Sequence, residues 1–309
     1  MTRSLLLVAA FLAVLLAATP ATAAIDTPVP GFLLDRGRYT TIDAPGGARS
    51  QVLAIGVNAQ GAIVGDFDDS SGRHHGFLLR KGKFTRIDFP GAKGSTAGKI
   101  NNSGDVVGAY SLTDPYPGSG NAELRGYLLR GGKFTRIDFP GADQTQPLGL
   151  NNLGQVVGTY VLGGEDRSFL WENGKYRDIK LPDFPGAVGA AITGIDDFGR
   201  YIGVVVTGPN RGYGLLLDRG KVTTYKSPGD VLTFPSGIND LGQVVGTTYR
   251  DGTQATARGF LLAKGVKGPF TRIEFPRAPA SVAFGINNRG QIVGAYAKSL
   301  MPDMPMPMG

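Results

Sequence analysis

Three features of this sequence predict an all-β fold. A ten-residue phrase recurs six times: GVNAQGAIVG at 56–65, KINNSGDVVG at 99–108, GLNNLGQVVG at 149–158, GIDDFGRYIG at 194–203, GINDLGQVVG at 237–246 and GINNRGQIVG at 285–294. A second phrase alternates with it. Its best-preserved copies, GFLLRKGKFTRIDFPGA from Gly76 and GYLLRGGKFTRIDFPGA from Gly126, differ at two of seventeen positions. The third feature is order. The chain opens on a lone copy of the second phrase and closes on a lone copy of the first. Together they predict a six-bladed β-propeller of four-stranded antiparallel blades, closed by pairing of the N- and C-terminal half-repeats.

Each unit of about 46 residues reads as four short strands. Strand one is the apolar stretch before the Asn, such as Phe284 to Ile286. Asn287-Asn288-Arg289-Gly290 is a tight turn, because Asn and Gly tolerate positive φ. Strand two, Gln291 to Tyr296, is rich in β-branched and aromatic residues. A loop of variable length leads to strand three, GFLL. A glycine turn leads to strand four, where Phe84, Arg86 and Asp88 alternate with Thr85 and Ile87. Pro90-Gly91 then ends the pairing. Copies of the second phrase are placed at Gly31, Gly76, Gly126, Ser168, Tyr213 and Gly259. Residues 31–43 and 283–296 are expected to complete one shared blade. A β-helix would repeat at about half this length, and a sandwich would not repeat near-identical units.

The first residues carry a different signal. Arg3, an apolar run from Leu5 to Leu16 and the small residues Ala21-Thr22-Ala23-Ala24 predict a secretory signal peptide over 1–24. The propeller is assigned to 25–300 and a disordered tail to 301–309. No later segment is apolar enough to span a bilayer, so the mature chain is expected in the periplasm or outside the cell. It has no cysteine and must hold together by burial and backbone pairing. The net charge is +7, or +6 without Arg3, which favours anionic partners.

The units resemble the HAF family of bacterial extracellular repeats, in which G-I-N-N-x-G-x-V-V-G precedes H-A-F-L-Y, a glycine turn and a hydrophobic strand. The nearest copy here is His75-Gly76-Phe77-Leu78-Leu79. The likeness runs over nearly all of 31–297. It departs in that one unit alone has the His, and Gly replaces the Ala. The resemblance implies repeat architecture and export. The family has no agreed activity, so it lends no catalytic residue.

The chemistry in the sequence is sparse. Asn101, Asn151 and Asn287 are expected to cap their own turns rather than to hold a ligand. Asp43, Asp88, Asp138 and Glu274 recur before the Pro-Gly corner, which argues for a scaffold role. Asp66 to Gly72, DFDDSSG, resembles the start of a calcium loop, but Ser71 stands where that loop needs Gly. It is read as a solvated acidic loop, with no metal and no cofactor assigned. His74 and His75 are adjacent, so they point to opposite sides of an extended chain and make poor joint ligands. There is no nucleophile elbow and no phosphate loop. The glycine turns are basic: Arg80, Lys81, Lys83, Arg130, Lys133 and Lys221 are the candidates for an anionic partner, against the plainer reading of ordinary solubilising turns, which is slightly favoured. Export and the lack of aromatic interleaving argue against nucleic acid. Asp66, Asp68, Asp69, Asp114 and Tyr116 on the variable loops are assigned to ligand binding. So is Lys99, which replaces a recurrent Gly on the innermost strand. The reading is an exported, non-catalytic binding or surface-interaction module for a polysaccharide or envelope component. The alternative is a hydrolase or lyase built around Asp66, Asp68, Asp114 and Lys99.

Overall fold

The computed structural model describes residues 29–43, 51–114 and 123–298. The expected signal and tail lie outside them, as does Tyr116. The described residues are all-β apart from one 3-10 turn, Gln254–Thr256. No helix among them is long and apolar enough to cross a membrane.

The strands pair in antiparallel groups of four. Group one is built from both ends of the chain, in the order Arg38–Ile42, Gly31–Asp35, Ile292–Ala297, Ala280–Ile286. Gly31 stands opposite Ala295 and Leu34 opposite Ile292. Group two holds Val52–Val57, Ile63–Asp68, His74–Arg80 and Lys83–Ile87. In group three, Gly94–Ser95 and Lys99–Ile100 share the first place, followed by Val106–Ser111, Arg125–Arg130 and Lys133–Ile137. Group four is Gln144–Leu150, Val156–Leu162, Glu165–Glu172 and Lys175–Ile179. Group five is Gly189–Ile195, Tyr201–Gly208, Arg211–Asp218 and Lys221–Tyr225. Group six is Leu232–Ile238, Val244–Tyr249, Ala257–Leu262 and Phe270–Ile273. A single parallel pair, Gly212 with Leu232, joins groups five and six into one eight-stranded sheet.

A bulge in the first strand recurs at one place, between Ala54 and Gly56, Pro147 and Gly149, Ile192 and Gly194, Pro235 and Gly237, and Ala283 and Gly285. It presses that strand against the glycine of the second. A Cβ at Gly158 would stand 2.0 Å from Gln146 O, and one at Gly203 2.2 Å from Ala191 O. The last glycine of each ten-residue phrase is therefore a contact requirement. The register also corrects one boundary. Gly203 stands opposite Leu215, as Gly65 stands opposite Phe77. The fifth copy of the second phrase thus begins at Gly214, not Tyr213; the glycines on both sides of Tyr213 hide the shift.

The two phrases read each other across groups. Corner residues Phe89, Phe139 and Phe275 lie flat on Tyr110, Tyr160 and Tyr296 of the next group, with ring centroids 3.8, 3.7 and 3.6 Å apart. Their amides donate to Ser95, Thr145 and Ser281 hydroxyls at 2.9–3.0 Å. Apolar clusters fill the spaces between groups. One packs Val293 of group one among Val52, Ala54 and Ile63 of group two. Another sets Phe32 and Ala283 of group one against Val245 and Ile273 of group six.

The asparagines do more than cap. Asn151 Oδ1 accepts from the amides of Leu153 and Gln155, which closes its own turn. Its Nδ2 donates to Asp196 O of the next group at 3.0 Å. The same link runs from Asn58 to Asn101 O, from Asn101 to Asn151 O, from Asn239 to Asn287 O and from Asn287 to Asn58 O. A second tier lies outside it. Amides of Ala59, Asn102, Asn152, Asp197 and Asp240 donate to Oδ1 of Asn102, Asn152, Asp197, Asp240 and Asn288. Asp196 has no N–H to give in the first tier. Arg200 crosses to the next group instead, with Nε on Asp196 Oδ2 and Nη2 donating at 2.9 Å to Asp240 O, one residue beyond the equivalent carbonyl.

In three other turns the residue in the place of Arg200 is Gln155, Gln243 or Gln291, each accepting from its own Asn; in the remaining two it is Ala62 and Asp105. Asp196–Arg200 is thus a charged replacement for Asn–Gln. Arg200→Gln alone leaves the buried Asp196 carboxylate without its cation and should cost about 3 kcal/mol in guanidinium unfolding. Asp196→Asn added to it should restore most of the loss. Failure of that rescue would mean that the pair does not carry the link.

Candidate binding face

Strand pairing fixes which turns share an end. Val156 stands opposite Trp171, Val106 opposite Leu129, Ile63 opposite Leu79 and Ile202 opposite Leu216. The Asn turns and the glycine hairpin turns therefore lie together, and the variable loops lie at the other end. Contacts bridge the two kinds of turn: Arg130 pairs with Asp105, Gln155 Nε2 donates to Glu172, and Gln291 Nε2 donates to Asp35. The hydrogen-bonded tiers gather the turns onto one face.

That face holds the charge. Its turns are residues 35–38, 80–83, 130–133, 172–175, 218–221 and 263–267, with 58–62, 101–105, 151–155, 196–200, 239–243 and 287–291. They carry fourteen Lys and Arg against seven Asp and Glu. The remaining described residues carry sixteen of each, so the whole positive excess sits here. Turn geometry does not demand these cations. Arg36, Lys81 and Arg219 adopt φ of 49°, 50° and 48°, a region where Asn173 or Gly131 serves equivalent turns with less strain. Arg80, Lys81, Lys83, Lys133 and Lys221 all lie on this face and are exposed, while the Arg130 guanidinium is tied to Asp105.

Lys99 is at the hub. The bulge glycines approach one another there: a Cβ at Gly149 would stand 2.9 Å from Gly194 Cα, and one at Gly285 2.5 Å from Ile55 O. Lys99 alone puts a side chain at this position. Its Nζ donates to Ser236 O and Phe284 O at 2.8 Å and to Ile55 O at 3.4 Å, in groups six, one and two. The residue keeps some exposed surface, but the amine is enclosed. Burial pushes the ammonium down to about 7, while the carbonyl dipoles favour its charged form.

Group two departs most from the sequence expectation. Asp66 and Asp68 belong to the strand Ile63–Asp68, and Asp66 is buried, so only residues 69–72 of this stretch form a turn, exposed at 70–72. The acidic run pairs with the two histidines, which are also buried and on opposite sides of their strand. His74 Nδ1 lies 2.6 Å from Asp68 and Nε2 3.6 Å from Asp66. His75 lies 2.8 Å from Asp88 and 3.0 Å from Asp69. Asp66 Oδ1 also accepts from Ala97 N of group three at 2.7 Å. Burial works against a charged His74, but hydrogen bonds to Asp66 and Asp68 prevail and raise it to about 10. Burial raises Asp66 against those same partners. At Asp69, hydrogen bonds from Ser71, His75 and the Arg73 amide outweigh burial and hold the carboxyl well below the usual range. Among the described residues no group of three or more acidic, His or Cys side chains is arranged to hold a metal ion.

The predicted ligand residues thus divide. Asp66, Asp68 and Asp69 are engaged with the histidines, Lys99 with hub carbonyls, and Asp114 sits in the turn where its amide donates to Ser111 Oγ. No hydrogen bond among the described residues joins Lys99 to Asp66 or Asp68. Two features escaped the sequence reading. Asp166, with its carboxyl raised to about 6 by burial, sits in the strand Glu165–Glu172. An open cleft of about 540 Å³ lies against the turn end of group five, lined by Leu181, Pro182, Tyr201, Leu217 and Arg219.

No protein-family model and no curated protein matches the chain. Among solved structures it is similar to a protein from Agrobacterium tumefaciens assigned as TolB. The TM-score is 0.62 at 9% identity, over 89% of this chain and 100% of that one. It is also similar to the fucose-recognising, six-bladed propeller lectin of Aleuria aurantia. There the TM-score is 0.48 at 14% identity, over 76% of this chain and 83% of that one. The fold is that of a β-propeller made of four-stranded antiparallel sheets.

Between pH 7 and 10, Lys99 and His74 act on stability in opposite senses. The unfolded chain keeps the Lys99 proton to about 10.5 and the folded chain loses it near 7, so stability rises with pH. The folded chain keeps the His74 proton to about 10 and the unfolded chain loses it near 6.5, so stability falls. Lys99→Met removes the rise and His74→Gln the fall, each by at most about 1.4 kcal/mol per pH unit. Urea midpoints measured across this range should slope downward in the first variant and upward in the second, relative to the parent. Three parallel slopes would refute both assignments.

Proposed function

We propose that the chain is an exported, closed six-bladed propeller related to the HAF repeats, and that it is a binding module for an anionic envelope component or acidic polysaccharide. The observation that carries this reading is the charge partition: the turn face holds the full positive excess and the rest of the described chain is balanced. Six wedges and closure are supported by the mixed strands of group one and by the Asn287 link to Asn58. Export is supported by Arg3, the apolar run after it and the small residues at 21–24. The hydrolase or lyase alternative requires Asp66, Asp68, Asp114 and Lys99 to meet at one substrate. The engagement of Lys99 with hub carbonyls and of both strand aspartates with His74 favours binding instead.

Every described strand pairs within residues 31–297, so the chain from Ile25 carries the whole described fold. This protein should bind dextran sulfate with an affinity that falls steeply as salt is raised. Lys81→Glu, Lys83→Glu, Lys133→Glu and Lys221→Glu combined should weaken binding at least about tenfold. The melting temperature should stay close to the parent's, because all four side chains are exposed. Equal binding by parent and variant would remove the turn face as the site.

A further inference from the structure

The third residue of each Asn turn has no part in the two hydrogen-bonded tiers beyond its amide. Around the face it is Gln60, Ser103, Leu153, Phe198, Leu241 and Arg289. The three apolar ones are consecutive and are 65%, 70% and 67% exposed. They are the most exposed large apolar side chains among the described residues. The next two, Leu112 and Val188, adjoin strand ends on the opposite face. The Asn side chain and the Gly backbone make the turn, so the fold does not require an apolar residue at the third position.

The turns of the three groups that carry these tips are nearly balanced, six cations against Glu172, Asp196, Asp197, Asp218 and Asp240. Lys175, Arg219, Lys221, Lys264 and Lys267 stand on the hairpin turns of the same three groups. The turns of the other three groups bring eight cations against two carboxylates. The face is therefore divided into an arc of protruding apolar tips and an arc of concentrated positive charge.

We infer that this face docks on an anionic lipid bilayer, with Leu153, Phe198 and Leu241 entering the headgroup boundary and the turn cations lying on the phosphates. The inference rests on the binding-face reading above and narrows its ligand. Three observations select a bilayer. The tips are single side chains on convex turns, which a deformable apolar medium accommodates without a matching pocket. They share a face with the whole positive excess of the described chain. A polyanionic sugar would use the charge and leave the tips idle.

The chain from Ile25 should co-sediment with phosphatidylethanolamine–phosphatidylglycerol vesicles and not with phosphatidylcholine vesicles. Leu153→Ser, Phe198→Ser and Leu241→Ser combined should lower vesicle affinity at least about tenfold and leave dextran sulfate binding unchanged. The single tryptophan, Trp171, is buried. A Phe198→Trp variant therefore gains an exposed emission that should shift to the blue with phosphatidylglycerol vesicles and not with dextran sulfate. Undiminished vesicle binding by the triple-serine variant, or no blue shift on bound vesicles, would overturn the inference. So would a lipid-free dimer that the triple-serine variant turns into a monomer, since a second copy would then cover the tips. Dextran sulfate binding without vesicle binding would overturn it and leave the anionic face standing. Loss of both would sink the binding-face reading itself.

Discussion

The side-chain amide of the first turn asparagine is the interaction on which this molecule is organised. A carboxamide carries an acceptor and a donor on one rigid plane, and both are used. Oδ1 fixes the turn from which it springs, and Nδ2 reaches the equivalent carbonyl in the next group. A hydroxyl is too short for both duties, and a carboxylate has no N–H. Each buried bond contributes only about 1 kcal/mol net, and the carbonyl it reaches also accepts from its own turn glycine amide. At Asp196, whose side chain has no N–H to give, a guanidinium four residues on crosses to Asp240 O instead. Because the ladder runs from carbonyl to carbonyl, it sets how closely the innermost strands approach. The hub then has room for glycine, and for one lysine whose amine meets the carbonyls of three groups.

The same constraint separates the two faces. Turns bound to their neighbours by backbone and Asn groups leave their remaining side chains free to vary. Loops at the other end have no such ladder and must stabilise themselves locally. In group two this produces a dense arrangement: two buried histidines, each against two carboxylates, with one carboxylate reaching into group three. Four carboxylates thus stand against two histidines, and Arg86 adds a cation on Asp88. The cations of the turn face have few such partners, and that is where the excess appears.

Much of the architecture was legible because repetition averages out local noise. Six Asn turns and six glycine turns set the four-strand unit, and the lone phrases at either end foretold the pairing of Gly31–Asp35 with Ile292–Ala297. The rest was hidden for physical reasons. A bulge shifts the alternation by one residue, but the strand Val52–Val57 is buried on both faces, so the Ala54–Gly56 irregularity has no signature of its own. At Tyr213, flanking glycines let either register look equally apolar. Asp66 and Asp68 resembled a loop because carboxylates in a strand are rare, and their partner His74 lies across the hairpin. The cross-group reach of Asn151 Nδ2 could not be separated from capping, since both uses call for the same residue. Phe198 and its neighbours looked like the one unconstrained letter of a constrained phrase.

That last letter repays a thermodynamic argument. Leu153 and Leu241 are mostly exposed, and Phe198 has the Arg200 guanidinium over its ring at 5.4 Å, so folding stability selects only weakly at these positions. Solubility does act on them, because each exposes apolar surface on a protein that has polar alternatives at hand. Gln60, Ser103 and Arg289 occupy the same position in the same turn. The turn is formed identically in either case, with the amide after the first Asx donating across to the next group. Apolar residues on three consecutive turns are therefore a cost in solubility that the turn does not require, and they lie on the face that holds the positive excess.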